Sequence, residues 1–397
     1  MDLLHFEKRR LRELACLFAA SRGALFAVGF LSTYLMISGL TVQHGNLIAH
    51  DPAPRGLEMW ARWDSEWFLL IASDGYDVGD RLTAFGVPYE RSAAAGFLPL
   101  YPLLIWTLSW LVGPVVAGIL ISNLCLLASI VLLERLVRLE FGGDRGASVS
   151  LAACVALLLF PSSLFLSAVY SESLFLLLSL AVFYASVTGR FAAAGVCGGL
   201  AALTRPFGVL LIIPIIMEWW RRWRADRGEG DDATSVAVWS VGWSALVPAG
   251  LAIFMLYCWR VFGDPLALLH RQSRWRGGLS GPWQAFVRWW EAGPVAHGSH
   301  GSTFELVMAL FCLVVLVFMA RRLRPVYTVY TAACMALALG STLWSFSRLA
   351  VTLFPLFMVI GLWWADGRRC LVAAYAVFGA TASGLLMALF ANWWWAG

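Results

Sequence analysis

Apolar runs long enough to cross a bilayer recur along this chain, separated by short polar breaks that carry arginine. A hydrocarbon core of about 30 Å needs about 20 apolar residues per spanning helix. The first run, from Cys16 to Thr41, follows Lys8-Arg9-Arg10-Leu11-Arg12. It is too long for a signal-peptide core and no small-residue cleavage site follows, so it predicts a retained first helix with a cytoplasmic N-terminus. Further spans are predicted at about 115–137, 147–168, 172–188, 191–204, 206–220, 234–259, 304–320, 325–343, 349–365 and 370–391. The pattern is that of an all-α polytopic membrane protein of about 11 transmembrane helices, forming one unit over 1–397. Thr204-Arg205-Pro206 interrupts the pair at 191–220, and broken helices at membrane depth are tolerated where they line a cavity or pack inside protein.

Two segments break the apolar rhythm. Residues 43–114 mix polarities and carry Asp51, Glu58, Asp64, Glu66, Asp74, Asp77, Asp80 and Glu90. Within this stretch Trp60, Trp63, Trp67 and Ile71 recur at three- and four-residue spacing, the stripe of a helix lying in the membrane interface. The apolar stretch from Phe97 is short before Gly113-Pro114. Treating it as re-entrant or juxtamembrane, and not as a span, places Arg135, Arg138, Arg145, Arg221, Arg222, Arg224 and Arg227 on the cytoplasmic side together with Arg22. Residues 43–114 and 260–303 are then external loops, and Trp393-Trp394-Trp395 forms an aromatic belt at the outer interface.

Composition sharpens this reading. Of 397 residues 60% are hydrophobic and 13% charged, with mean hydropathy +0.74, which excludes an ordinary soluble domain. The net charge is +5, and 28 of the 29 basic residues are arginine. That bias is typical of a GC-rich genome, so a bacterial plasma membrane with an outward-facing site is the expected location. The basic residues flank apolar spans, as topology requires, and do not form a nucleic-acid surface. The eight cysteines are scattered and form no paired motif, and P-loop and H-E-x-x-H patterns are absent. His297 and His300 have a spacing that permits a metal and Asp64-Ser65-Glu66 is a weaker candidate pair, so no cofactor is implied and a divalent metal has little support.

Four constellations carry chemistry. In Arg62-Trp63-Asp64-Ser65-Glu66-Trp67-Phe68, Asp64 and Glu66 stand about 200° apart on a helix, so they cannot both face one substrate. Asp64 reads either as a working carboxylate under the apolar cover of Trp63 and Trp67 or as a solvated loop acid. In Pro161 to Ser173, Ser171 reads as an N-cap and Glu172 as a first-turn acid, although an ionisable group in an apolar hairpin is also a site candidate and a candidate second acid. Arg205 and Arg348 interrupt apolar segments and call for an anion, either Asp64, Glu172 or a ligand phosphate, or else snorkel to the interface. Arg271, Arg274 and Arg276 add candidate phosphate or headgroup contacts, beside His270.

Several strings, in order, resemble the PIG-V-like mannosyltransferases of the GT-C glycosyltransferases, a family that includes the second mannosyltransferase of GPI-anchor assembly. They are Trp63 through Tyr76, Phe97-Leu98-Pro99-Leu100-Tyr101-Pro102, Pro161 through Phe175, Leu203 through Gly208, and Ser347 through Phe357. The resemblance implies a GT-C-like fold and a polyprenyl-phosphate donor. It also implies transfer of a hexose, by family mannose, with inversion to a lipid- or glycan-linked acceptor hydroxyl. It makes Asp64 the catalytic base and leaves Glu66 and Glu172 as candidate second acids. The phosphate falls to Arg205 and Arg348, with Trp63, Trp67, Tyr101, Tyr170, His270 and Arg271 as candidate substrate contacts. The acceptor is not implied, and nothing in the sequence identifies a protein partner beyond membrane lipids. One base suffices because the departing phosphate is already stable as an anion. A transporter or lipid flippase is the competing reading, but the two similar halves common in transporters are not visible. A structural subunit leaves the long acidic loop unexplained.

Overall fold

The computed structural model describes residues 3–36, 56–79, 90–226 and 239–397. Asp51 and Asp80, and the start of the span expected at 234–259, lie outside the described residues. Sixteen helices are used below, numbered in chain order. They are α1 (Leu3–Leu35), α2 (Asp64–Asp74), α3 (Leu100–Val112), α4 (Pro114–Phe141), α5 (Gly143–Leu158), α6 (Glu172–Val187), α7 (Phe191–Ala202) and α8 (Ile212–Asp226). They continue with α9 (Leu246–Phe262), α10 (Ala267–Arg276), α11 (Gln284–Glu291), α12 (Thr303–Arg322), α13 (Pro325–Leu339), α14 (Phe346–Ala350), α15 (Pro355–Ala365) and α16 (Arg369–Ala391).

Among the described residues five helical stretches are long and apolar enough to cross a membrane: Glu7–Leu35, Pro114–Phe141, Val241–Phe262, Thr303–Arg322 and Arg369–Ala391. Leu100–Val112, Glu172–Val187, Phe191–Ala202, Pro325–Leu339 and Pro355–Ala365 are apolar but shorter. The bundle is stitched by close packing, as expected where lipid supplies no hydrophobic drive between helices. At the α7–α9 crossing a side chain on Gly250 would strike the Gly199 carbonyl, so only glycine allows the two backbones this approach.

Several expected spans are interrupted, each for a local reason. The helix expected over 147–168 stops at Leu158, and Pro161–Leu166 forms a short 3-10 turn. Pro161 has no N–H to donate and holds Phe160 in an extended conformation (ψ 140°). The freed carbonyls find a side chain. Arg22 of α1 donates to the Leu158 carbonyl at 3.1 Å and to the Ser163 carbonyl at 2.8 Å. Arg22 is therefore a buried brace inside the bundle and not a cytoplasmic loop charge. The span expected at 206–220 opens with a 3-10 turn, Pro206–Leu211, before α8 begins. That expected at 349–365 divides into α14 and α15 before Pro355, and the one from Pro325 ends at Leu339.

The first expected loop is also built differently from a continuous interface helix. Gly56–Trp60 is a 3-10 turn, and α2 begins only at Asp64 because Trp63 adopts the left-handed region (φ 57°). Trp60, Phe68, Leu70 and Ile71 are buried, so this element packs into protein. The terminal tryptophans are packed inward as well. The Trp393 ring is buried under the Arg62 guanidinium at 4.6 Å, and Trp395 lies edge-on to Trp63 and Trp344.

Candidate active site

The start of α2, the Pro206 turn, the end of α13 and α14 meet at one cavity of about 540 Å³. Its polar lining includes Asp64, Ser171, Thr204, Arg205, His270, Gln272, Arg276 and Arg348, and its apolar wall runs through Phe97, Phe207, Leu251, Leu268 and Leu337.

Asp64 is the first residue of α2, where the helix dipole favours a carboxylate. Its turn is pinned by Tyr170, whose hydroxyl donates to the Arg62 carbonyl (3.0 Å) and accepts from the Asp64 N–H (3.2 Å). Asp64 Oδ2 accepts a hydrogen bond from Arg348 Nη1 at 2.8 Å. Arg348 Nε and Nη2 donate to Glu172 Oε1 at 3.0 and 2.9 Å, and Arg205 Nη1 reaches the same oxygen at 2.7 Å. The four residues form a chain, Asp64–Arg348–Glu172–Arg205. Exposure separates the two acids: the Asp64 side chain is 27% accessible and that of Glu172 0%. Glu172 is a buried counter-ion, whereas Asp64 opens on the cavity.

Each arginine is held by local sequence. Arg205 is extended (φ −147°) before Pro206, and its carbonyl accepts from the Gly208 N–H. A side chain at Gly208 would overlap the backbone of Ala201 and Ala202, so the turn closes only with glycine there. Arg348 sits in the five-residue α14, entered through left-handed Ser345 (φ 63°), and its guanidinium lies over the rings of Tyr170 (4.7 Å) and Phe165 (4.9 Å).

Of the other residues singled out in the sequence, His270 lines the cavity, its Nδ1 2.8 Å from Asp264 Oδ2. That contact, with the Leu266 N–H, holds the Asp264 carboxyl below its usual range. Tyr170 supports the site from behind, as described. Ser171 and Arg276 line it too, whereas Trp63, Trp67, Tyr101, Glu66, Arg271 and Arg274 are not brought to the cavity. Trp63 packs against Trp393 and Trp395, and Trp67 stacks on Phe97. Tyr101 is buried, donating to the Gly118 carbonyl (3.0 Å) and meeting Ser122 Oγ at 2.8 Å. Glu66 is buried and outside the lining, consistent with its position across the helix from Asp64. Arg271 ties Glu90 and Ser92 to α10 and does not face the cavity. Ser171 makes no side-chain cap, and Glu172, besides standing in the first turn of α6, pairs with Arg205 and Arg348. Among the described residues no three His, Cys, Asp or Glu side chains converge as metal ligands.

Sequence reasoning missed Glu305. It is buried near the start of α12 and accepts from the Ser347 N–H at 2.7 Å and the Ser347 hydroxyl at 2.9 Å. Ser162 Oγ donates to the Ser347 carbonyl at 2.8 Å, so the residue preceding Arg348 is gripped from both sides. Glu305→Ala should leave two buried donors unmatched, each costing about 1–3 kcal/mol, and lower the melting temperature, with Glu305→Gln falling between it and the parent. An alanine variant that melts with the parent would refute the clamp.

Comparison with known proteins follows this geometry. The family model described as Mannosyltransferase (PIG-V) matches residues 25–221, which include Asp64, Glu172 and Arg205. GPI alpha-1,6-mannosyltransferase 2 of Rattus norvegicus is 35% identical over 161 residues, covering 38% of this chain and 30% of the relative. The Mus musculus protein of the same name is 35% identical over 159 residues, covering 38% and 29%. The matched segment thus spans under a third of the length of these relatives. A crystal structure of ArnT from Cupriavidus metallidurans bound to undecaprenyl phosphate superimposes with TM-score 0.50 at 17% identity, over 95% of this chain and 71% of that one. Over residues 25–221 the chain is thus similar to the PIG-V mannosyltransferase family, and its helical fold is similar to that of ArnT.

Proposed function

We propose that the protein is a membrane glycosyltransferase that moves mannose from a polyprenyl-phosphate donor to a hydroxyl on a lipid- or glycan-linked acceptor, with inversion, at a site facing outward. The observation that carries the reading is a single cavity joining a partly accessible carboxylate, a row of guanidiniums and a long apolar wall. A prenyl tail suits Phe207, Leu251, Leu268 and Leu337, and a phosphate suits the arginines at the polar end. Asp64 takes the proton of the acceptor hydroxyl as its oxygen bonds to the sugar carbon, and the carbon–oxygen bond to phosphate breaks with its electron pair on phosphate. No acid is required on that side.

A relative's name and a neighbour's bound lipid support this choice of chemistry, since they concern a mannosyltransferase and undecaprenyl phosphate. A transporter would also use a polar cavity in a bundle, but it gives no reason for a base set against three cations. The test is transfer of mannose from polyprenyl-phosphate-mannose to membrane lipid extract by the purified protein, followed by mass spectrometry. A mannosylated product of inverted configuration is expected; no transfer from any prenyl-phosphate sugar would reject the reading.

A further inference from the structure

Three guanidiniums and the Asp64 carboxylate line the cavity, with Glu172 buried behind them, and the third cation is the one without a carboxylate partner. Arg205 and Arg348 share Glu172, and Arg348 also holds Asp64. Arg276, at the end of α10, lines the same cavity. Its side chain makes one long hydrogen bond, to the Trp344 carbonyl at 3.5 Å, and no carboxylate among the described residues comes within salt-bridge distance. Burial lowers the Arg276 guanidinium to about 10, and the nearby Arg348 and Arg205 cations push the same way against Asp64 and Glu305. It still carries its charge at neutral pH.

Its backbone is nevertheless fixed. The Arg276 carbonyl accepts from Arg288 Nη1 at 2.6 Å, and that same nitrogen donates to the Ser341 carbonyl at 2.7 Å. Gly277 then turns the chain out through a left-handed conformation (φ 73°). The other two arginines of the helix are committed elsewhere: Arg271 and Arg274 both pair with Glu90. A half-buried cation on the cavity wall, repelled by its neighbours and with no carboxylate at salt-bridge distance among the described residues, gains most from an incoming anion.

We propose that Arg276 is the main protein ligand of the lipid-linked phosphate, while Arg205, Glu172 and Arg348 form the preset frame around it. This assignment rests on the cavity being the donor site. In the reaction the phosphodiester leaves as a monoester, gaining a second negative charge as the sugar–oxygen bond breaks, and the acceptor proton passes to Asp64. Arg276 meets that growing charge with a guanidinium no carboxylate has neutralised. The frame alone cannot: its two arginines already face two carboxylates.

The experiment measures binding of undecaprenyl phosphate to the full chain in detergent. Arg276→Ala should weaken binding about ten- to a hundredfold, the loss of a charge-assisted contact in a half-buried site. Arg276→Lys should recover part of it, because charge is kept and the fork is lost. Arg276→Gln keeps bulk and hydrogen-bonding groups, and should bind as poorly as the alanine variant even if the latter folds badly. Arg274→Ala, on the exposed side of the same helix, should match the parent. Parental affinity in Arg276→Gln, with the parent binding well, would overturn the Arg276 assignment alone. A parent that binds no undecaprenyl phosphate would overturn both this assignment and the donor reading beneath it.

Discussion

Asp64→Asn should leave a folded, membrane-inserted protein whose sugar transfer falls about 10²–10⁴-fold, the usual contribution of a general base. The asparagine amide preserves shape and still offers an oxygen to Arg348 Nη1, so the 2.8 Å contact and the start of α2 should survive. What it loses is the capacity to accept the acceptor's proton. The deficit should therefore fall on kcat, with donor affinity close to that of the parent. Glu66→Gln should be far milder, because Glu66 is not part of the cavity lining. Purified variants compared for mannose transfer and for undecaprenyl phosphate binding decide the matter. Parental turnover in Asp64→Asn would remove Asp64 as the base.

Arg348→Ala should be the most damaging change to the frame. It removes two of the three hydrogen bonds to Glu172 Oε1 and the partner of Asp64, and it empties a position stacked on Phe165 and Tyr170. Breaking a buried ion pair from one side typically costs about 3–5 kcal/mol, because the remaining charge stays buried. A clear fall in melting temperature and a loss of donor binding are both expected. Arg348→Lys should regain some of each, since an ammonium can satisfy one acid but not grip Glu172 through two nitrogens. A stable alanine variant with parental donor affinity would show that the frame neither holds the site nor shapes it.

The sequence pointed to most of these groups one at a time. Glu172, Arg205 and Arg348 stood out because a charge in an apolar run demands a partner, and Asp64 because it lies beside a tryptophan stripe and matches the family's acid; they prove to be one another's partners. Spacing could not reveal that Arg348 reaches an acid 284 positions away, since only the tertiary fold sets such distances. Glu305 escaped notice for a related reason: as an acid in the first turn of α12 it fits ordinary helix chemistry, and its grip on Ser347 exists only in three dimensions. Among Arg271, Arg274 and Arg276 the sequence offered no means of choosing. Their directions depend on where Glu90 falls and on where α10 ends at Gly277. Helix limits misled at Pro161 and Pro355, where hydropathy runs on but the backbone cannot.

Arg22 has a consequence for how the protein is made. Its partners are carbonyls of residues 158 and 163, so they emerge from the ribosome about 136 residues after it does. A lone arginine near the centre of a newly inserted helix costs about 2.5–3.5 kcal/mol on insertion scales. The first helix must therefore enter the bilayer carrying an unmet charge, held by its flanking apolar residues alone, or wait beside the insertion machinery. Only when the chain has passed the Pro161 break can Arg22 find its acceptors, and at that moment α1 gains a reason to stay beside this break and no other. A charge that looks like a defect in the leading helix is thus matched, in the folded bundle, by a turn translated long after it.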